Sequence, residues 1–270
     1  MSKHTRFLLV APARSGSTVL RTTLNGHPEI VCHGEVLGRN RILGLVRGPE
    51  TPGGEALYKM REESVCGFLE SQIFSPRPGV SASGFKALYY HFGELQFAEA
   101  IDELASSVDM KVVFLWRTDL VKRALSEIQH RMTAASKEAP VAPEVARIAQ
   151  DCRNQLTCFS WLQALFSGHS CIKFSYEELV SDQKAVLNEI CGFLGVEKDR
   201  IMLSEKPRGS GVTETAPSRG IVQRLRDLAG VKGLPSEPGR SPYPLVSNAA
   251  SLLKADALRE YRDVLPWKQG

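Results

Sequence analysis

The sequence predicts an α/β protein, with a mostly parallel central sheet covered by helices on both faces. Two observations carry that expectation. The apolar runs Phe7–Val10 and Lys111–Trp116 lack the alternation of a half-exposed strand, so they read as strands buried on both sides. Each runs within a few residues into a helix start, and the alternation of strand and helix continues to about residue 196.

The first unit is RFLLVAPARSGSTVLRTTL. Its strand ends in a turn of small residues, and a helix opens near Ser17. The first N–H groups of a helix lack intrahelical partners, and its dipole there favours negative charge. Ser15, Gly16, Ser17 and Thr18 keep side chains short, so an anion can approach the backbone and hydroxyls can donate to it. Arg14 adds a planar fork of donors. The loop is not a Walker A motif: the Lys of GxxxxGK[ST] is missing, and Ala11 or Pro12 stands where the first Gly belongs.

Beyond it, His27-Pro28 ends the helix and Ile30-Val31 marks a short strand, followed by a polar, Gly-rich loop over 38–53. A helical pattern runs from Glu55 to Phe74 through Leu57, Met60, Val65, Phe68 and Leu69, and PRPG at 76–79 stops it. Gly84–Leu88 reads as a strand and Phe97–Leu104 as a helix. Lys111–Trp116 leads into Arg117-Thr118-Asp119, where Thr118 or Asp119 caps a helix reaching about Met132. Residues 133–143 are loop-like, and a long helix spans Glu144 to about Phe166. Ile172–Phe174 is a strand, and a helix opening at Tyr176 closes at Leu194-Gly195. The tail reads as a polar stretch over 203–219, a helix near Ile221–Leu228, a Pro-rich linker at 234–244 and a final helix near Ala250–Tyr261. We expect one domain over 1–270, with 1–200 as the α/β core and 201–270 completing the site.

At 270 residues and 43% hydrophobic content the chain can bury a full core. A net charge of +4, from 34 basic and 30 acidic side chains, is too mild for a nucleic-acid binder. No apolar run approaches the ~20 residues of a membrane span. The N-terminus imitates a signal peptide, but its apolar part is short and contains Pro12, and cleavage would remove the first strand. The six cysteines have no CxxC or zinc spacing, which fits a reducing, cytoplasmic setting.

In open parallel sheets ligands bind beyond the carboxyl ends of the strands. Arg14, the Glu35 region, Lys86 and Arg117 all fall just after or late in predicted strands, so positions scattered in sequence gather at one edge. WRTDLVKRALSEIQ adds a second anion element: Arg117 leaves a strand, and Ser126, nine residues on, can turn on its helix towards the same edge.

Three segments together resemble a known family. The strand–RSGST–helix unit is similar to the 5′-phosphate loop of sulfotransferases that use 3′-phosphoadenosine 5′-phosphosulfate (PAPS). The Arg-x8-Ser spacing after VVFLW resembles their 3′-phosphate element. IKFSYEELVSDQKAVLNEICGFLGV resembles their Tyr-Glu-Asp-Leu-Val segment with its trailing helix. The RSGST loop and the carboxylate after the first helix most resemble the bacterial trehalose and Nod-factor enzymes. The cytosolic animal enzymes carry a Lys in the loop, and the Golgi enzymes an N-terminal anchor. The C-terminal third departs from the family: its Arg-Lys-Gly cofactor loop is absent, and Lys206 and Arg208 in EKPRGSG are the substitute cofactor contacts.

The resemblance implies a P-loop-like three-layer sandwich and sulfuryl transfer from PAPS to a hydroxyl of a carbohydrate, glycolipid or hydroxylated natural product, with no metal required. It assigns the phosphates to Arg14, Ser15, Gly16, Ser17, Thr18, Arg117 and Ser126. Arg14 would stabilise the leaving group, with Lys86 as a second cation and Glu35 as general base. His33 and His91 are rival bases, and His33 could instead orient Glu35. The acceptor would be chosen by loops at 36–56, 74–83, 133–143 and 204–247, with Tyr89, Tyr90, Phe92 and Trp161 as aromatic surfaces. A homodimer is compatible with the family. The competing readings are a P-loop kinase and a nucleotide-binding module without catalysis.

Overall fold

A computed structural model of the protein describes residues 4–39, 42, 44–45, 50, 52–135, 139–200, 243–264 and 267. Five strands, β1 (Thr5–Ala11), β2 (Ile30–His33), β3 (Ala82–Leu88), β4 (Lys111–Trp116) and β5 (Cys171–Ser175), form one sheet in the order β2-β3-β1-β4-β5. Every pairing is parallel, so the α/β expectation holds, and each strand lies where the sequence places one.

Both faces of the sheet are buried, for the reason its apolar runs suggest. Phe7, Leu9 and Ala11 join Val113 and Leu115 under α1 (Ser17–Leu24), α7 (Tyr176–Ser181) and α8 (Gln183–Leu194). On the other face Leu8, Val10, Phe85, Phe114 and Trp116 pack beneath α4 (Ala98–Ser106), α5 (Leu120–Ala134) and α6 (Val145–Leu165). Phe159 and Phe166 close that layer with edge contacts to Trp116 and Phe114. Burial of this kind contributes about 25 cal/mol per Å² of apolar surface.

Three helices differ from expectation, each at a polar side chain that takes over backbone bonding. The pattern over 55–74 divides at Ser64, whose backbone is extended and whose hydroxyl accepts from Gly67 N–H at 3.0 Å. It yields α2 (Gly54–Glu63), α3 (Val65–Phe68) and a wider π-helical turn over Leu69–Ile73. The helix opening at Tyr176 divides at Asp182, which caps α8 by accepting from Ala185 N–H at 3.0 Å. The expected final helix breaks into Ala249–Leu252 and a 3-10 segment, Asp256–Tyr261. There Arg262 Nη2 donates to Leu252 O and Ala255 O, satisfying carbonyls at the break. The expected helix at 221–228 lies outside the described residues, as does almost all of the linker at 234–244.

The strand order reverses at β1, which has β3 on one side and β4 on the other. A crevice opens at such a point beyond the carboxyl ends of the strands. The segments that emerge there are Pro12–Gly16 after β1, Arg117 after β4 and Tyr176 after β5.

Candidate active site

The turn into α1 is tightly wound. Arg14 has φ 65° and Gly16 φ 83°, both left-handed, flanking the fully buried Ser15. The Ser15 hydroxyl donates to Pro12 O at 2.8 Å, so this hydroxyl holds the turn. Gly16 is required twice over: its φ suits glycine, and a Cβ there would sit 2.6 Å from the Tyr176 ring. Leu20 N–H donates to Gly16 O at 3.0 Å, and the N–H groups of the first turn before it face the crevice mouth without intrahelical acceptors.

Arg117 leaves β4 almost fully buried, its guanidinium carbon 4.9 Å from the centre of the Tyr176 ring. Its Nε lies 3.9 Å from Glu177 Oε1 and lacks a hydrogen-bond partner among the described residues. Tyr243, folded in from the C-terminal segment, donates its hydroxyl to Lys122 O at 3.5 Å, and burial raises its pKa while Arg117 opposes that rise. Asp119 caps α5 by accepting from Lys122 N–H at 2.9 Å. Two turns along α5, Ser126 Oγ accepts from Arg14 Nε at 3.1 Å. Arg14, Gly16–Val19, Arg117, Ser126 and Tyr176 thus line one cleft. Burial lowers the pKa of Arg14, an effect that Glu127 opposes and Arg117 reinforces. Burial pushes Tyr176 up to about 12, so its hydroxyl stays neutral.

A second cluster adjoins this cleft through Thr18. Lys86 Nζ donates to Thr18 Oγ1 at 3.0 Å and pairs with Glu35 Oε1 at 2.6 Å. The Lys86 side chain is only 6% exposed and Glu35 20%. Burial lowers the pKa of Lys86, and the adjacent Glu35 carboxylate pulls it back up. The loop carrying Glu35 is pinned from α2, where Arg61 Nη1 donates to Val36 O at 2.7 Å and Gly38 O at 2.9 Å.

The two histidines have other duties. Burial holds His33 down to about 4, and its Nε2 is buried without a hydrogen-bond partner among the described residues. Burial likewise holds His91 to about 4, where its Nδ1 accepts from Leu88 N–H at 3.2 Å. Among the aromatic candidates Phe92 is a core residue stacked edge-on with Phe166, whereas Tyr90 is 45% and Trp161 44% exposed.

The described geometry therefore brings together Arg14, Ser15, Gly16, Ser17, Thr18, Arg117 and Ser126, with Lys86 and Glu35 alongside. Lys206 and Arg208 lie outside the described residues. No group of three or more His, Cys, Asp or Glu side chains suited to a metal occurs among the described residues. Sequence reasoning gave no site role to Tyr176, Glu177, Arg61 or Tyr243. Tyr176 and Glu177 follow the carboxyl end of β5 directly, and that position was the available signal. Arg61 and Tyr243 act from remote segments and left none.

The crevice chemistry is that of an anion site, with backbone donors, the buried Arg117 and half-buried Arg14 guanidinium groups, and hydroxyls. The chain belongs to the sulfotransferase family, whose sequence pattern matches residues 7–200, and these enzymes form EC class 2.8.2. Among solved structures, the sulfotransferase domain from the curacin biosynthetic pathway is similar at 18% identity and TM-score 0.51, covering 94% of this chain and 98% of that one. The sulfotransferase domain from the Synechococcus PCC 7002 olefin synthase matches at 18% identity and TM-score 0.46, over 98% of each chain. Mouse sulfotransferase SULT7A1, complexed with PAP, matches at 15% identity and TM-score 0.41, over 94% of this chain and 78% of that one. No curated protein sequence matches the chain. No helix among the described residues is long and apolar enough to cross a membrane.

Proposed function

We propose that the protein transfers the sulfuryl group of PAPS to a hydroxyl of a carbohydrate, glycolipid or hydroxylated natural product. The observation that carries this reading is the chain Thr18–Lys86–Glu35, which sets a carboxylate beside the cleft that Arg14, Thr18 and Ser126 line. The resemblance of the RSGST loop and the following carboxylate to those of the trehalose and Nod-factor enzymes favours a sugar hydroxyl.

Bound PAPS would supply a sulfuryl group on a phosphate leaving group. The first turn of α1 and Arg14 would hold the 5′ end, and Arg117 with Ser126 the 3′-phosphate. Because Ser126 Oγ accepts from Arg14, its own hydroxyl proton stays available for a phosphate oxygen. Glu35 would take the acceptor's proton as its oxygen bonds to sulfur. Arg14 and Lys86 would stabilise the charge that grows on the departing phosphate as its bond to sulfur breaks. Lys86 also fixes Glu35 in place, so the base and the second cation are set by one ion pair. Burial disfavours the protonated form of both histidines, so neither ring would readily keep a proton taken from the acceptor, and Glu35 is the better base. The six cysteines, all free, fit a reducing cytoplasmic setting.

The test is calorimetric titration with 3′-phosphoadenosine 5′-phosphate (PAP) and with ADP plus Mg²⁺, in wild type and Arg117→Ala. Metal-independent PAP binding that weakens by roughly tenfold or more in the variant supports the reading. A preference for ADP with Mg²⁺, or indifference to Arg117, would sink it and favour a kinase.

A further inference from the structure

Arg117 lines the cleft although only 4% of it is exposed, and two consecutive residues at the start of α7 meet it from different directions. Tyr176 lies against the face of the guanidinium, its ring centre 4.9 Å from the guanidinium carbon. Glu177 stands on the Nε side, with Oε1 3.9 Å from Nε. That distance is too long for a hydrogen bond, and Nε is buried with no hydrogen-bond partner among the described residues. The carboxylate is thus an ionic neighbour of Arg117 that takes none of its donors.

The other carboxylate oxygen does the holding. Glu177 Oε2 accepts from Thr118 N–H at 3.0 Å, and Thr118 O accepts from Val264 N–H at 3.0 Å. Both backbone groups of the residue after Arg117 are therefore tied to remote segments, one to α7 and one to the C-terminal segment. Thr118 lies outside both β4 and α5, so neither ladder nor helix bonding fixes it. A guanidinium offers two forked edges, one of which includes Nε. With a carboxylate on the Nε side and an aromatic ring on a face, the terminal Nη groups are the part directed to an anion in the cleft.

We propose that Glu177 is a positioning residue for nucleotide binding: it fixes the exit of β4 through Thr118 and turns Arg117 so that its Nη groups meet the 3′-phosphate. This rests on reading the cleft as a PAPS and PAP site. Glu177 gives no atom to the nucleotide. Its side chain is 40% exposed, so water screens its charge, and its repulsion of a nearby phosphate is weak beside what the orientation of Arg117 gains. A carboxylate in the first turn of a helix also complements the helix dipole. The test must separate that service to α7 from service to Arg117.

The experiment is calorimetric PAP titration of wild type, Glu177→Ala, Glu177→Gln, Arg117→Ala and both Glu177 variants combined with Arg117→Ala, with a thermal melt of each. Glu177→Ala is expected to weaken PAP by about tenfold. Glu177→Gln keeps an oxygen for Thr118 N–H and should weaken it by only about threefold. In the Arg117→Ala background either change should alter affinity by less than about twofold. A loss of equal size in that background would show that Glu177 serves α7 or the fold at large, and would overturn the proposal. Unchanged or tighter PAP binding in Glu177→Ala would overturn it equally. Should the Ala variant fail to fold, the Gln variant decides by the same rule: its loss must vanish without Arg117. If wild type fails to bind PAP, or binds it regardless of Arg117, the functional reading falls and takes this proposal with it. With Arg117-dependent binding in hand, only the role of Glu177 is at stake.

Discussion

On one side of the cleft the anion cradle is made from residues close to the ends of β1, β4 and β5, with Arg14, Gly16, Arg117 and Tyr176 each within a few positions of a strand. On the other side the Glu35–Lys86 pair depends on a loop after β2, held by Arg61 from α2 and linked to the cradle through Thr18. The cradle is imposed by topology: any chain that reverses its strand order at β1 presents backbone donors there. The carboxylate side is imposed by distant packing. If that difference is real, substitutions on the two sides should separate binding from transfer.

The largest expected effect tests that separation. Glu35→Gln should cut sulfuryl transfer from PAPS to a panel of glycosides and phenols by roughly 10²–10⁴-fold. PAP affinity, measured by calorimetry, should stay within about twofold of wild type. A matching loss of PAP affinity would show that the two sides are one unit. Next comes Gly16→Val, which sets a β-branched side chain at φ 83° against the Tyr176 ring. It should lower unfolding free energy by about 1–3 kcal/mol in urea melts and weaken PAP by more than roughly tenfold. Intact PAP binding would mean that the turn does not shape the cradle.

A pH series sharpens the comparison, because the cradle's guanidinium groups do not titrate in the range where the opposite side does. Burial holds His33 and His91 to about 4 in the folded protein, against an ordinary value of 6.5. Between those values the unfolded chain binds more protons than the folded one, so stability rises with pH there. The contribution is complete above the unfolded value and is lost as pH falls towards 4. The urea midpoint should therefore drop between pH 7 and pH 5, and by less in His91→Gln. A flat profile would contradict the burial of both rings. The smallest effect lies outside both regions: Asp182→Ala removes the cap of α8 and should cost about 1 kcal/mol with PAP binding unchanged.

The same contrast decides how much could be read in advance. The strands were legible because a doubly buried strand must be apolar throughout, as Phe7–Val10 and Lys111–Trp116 are. RSGST was legible because a tight strand-to-helix turn admits few residue types. Asp182 and Ser64 carried a signal, since both are capping residues, but apolar periodicity continues through them and masks the breaks. Arg61 and Tyr243 could not be found, because a side chain that arrives from a remote segment leaves no local spacing behind. Phe92 shows the opposite error: an aromatic beside the site by sequence packs into the core by geometry.

Tyr176 touches the backbone of Gly16 with its ring and carries the Arg117 guanidinium over that ring. On the proposed assignment of the phosphates, one aromatic side chain thus sets the separation between the 5′ and 3′ positions. The cleft would then behave as a ruler: a nucleotide bearing both phosphates would span it, and one lacking either end would lose that grip. Adenosine 5′-phosphosulfate, with no 3′-phosphate, would be refused for its length as well as its charge.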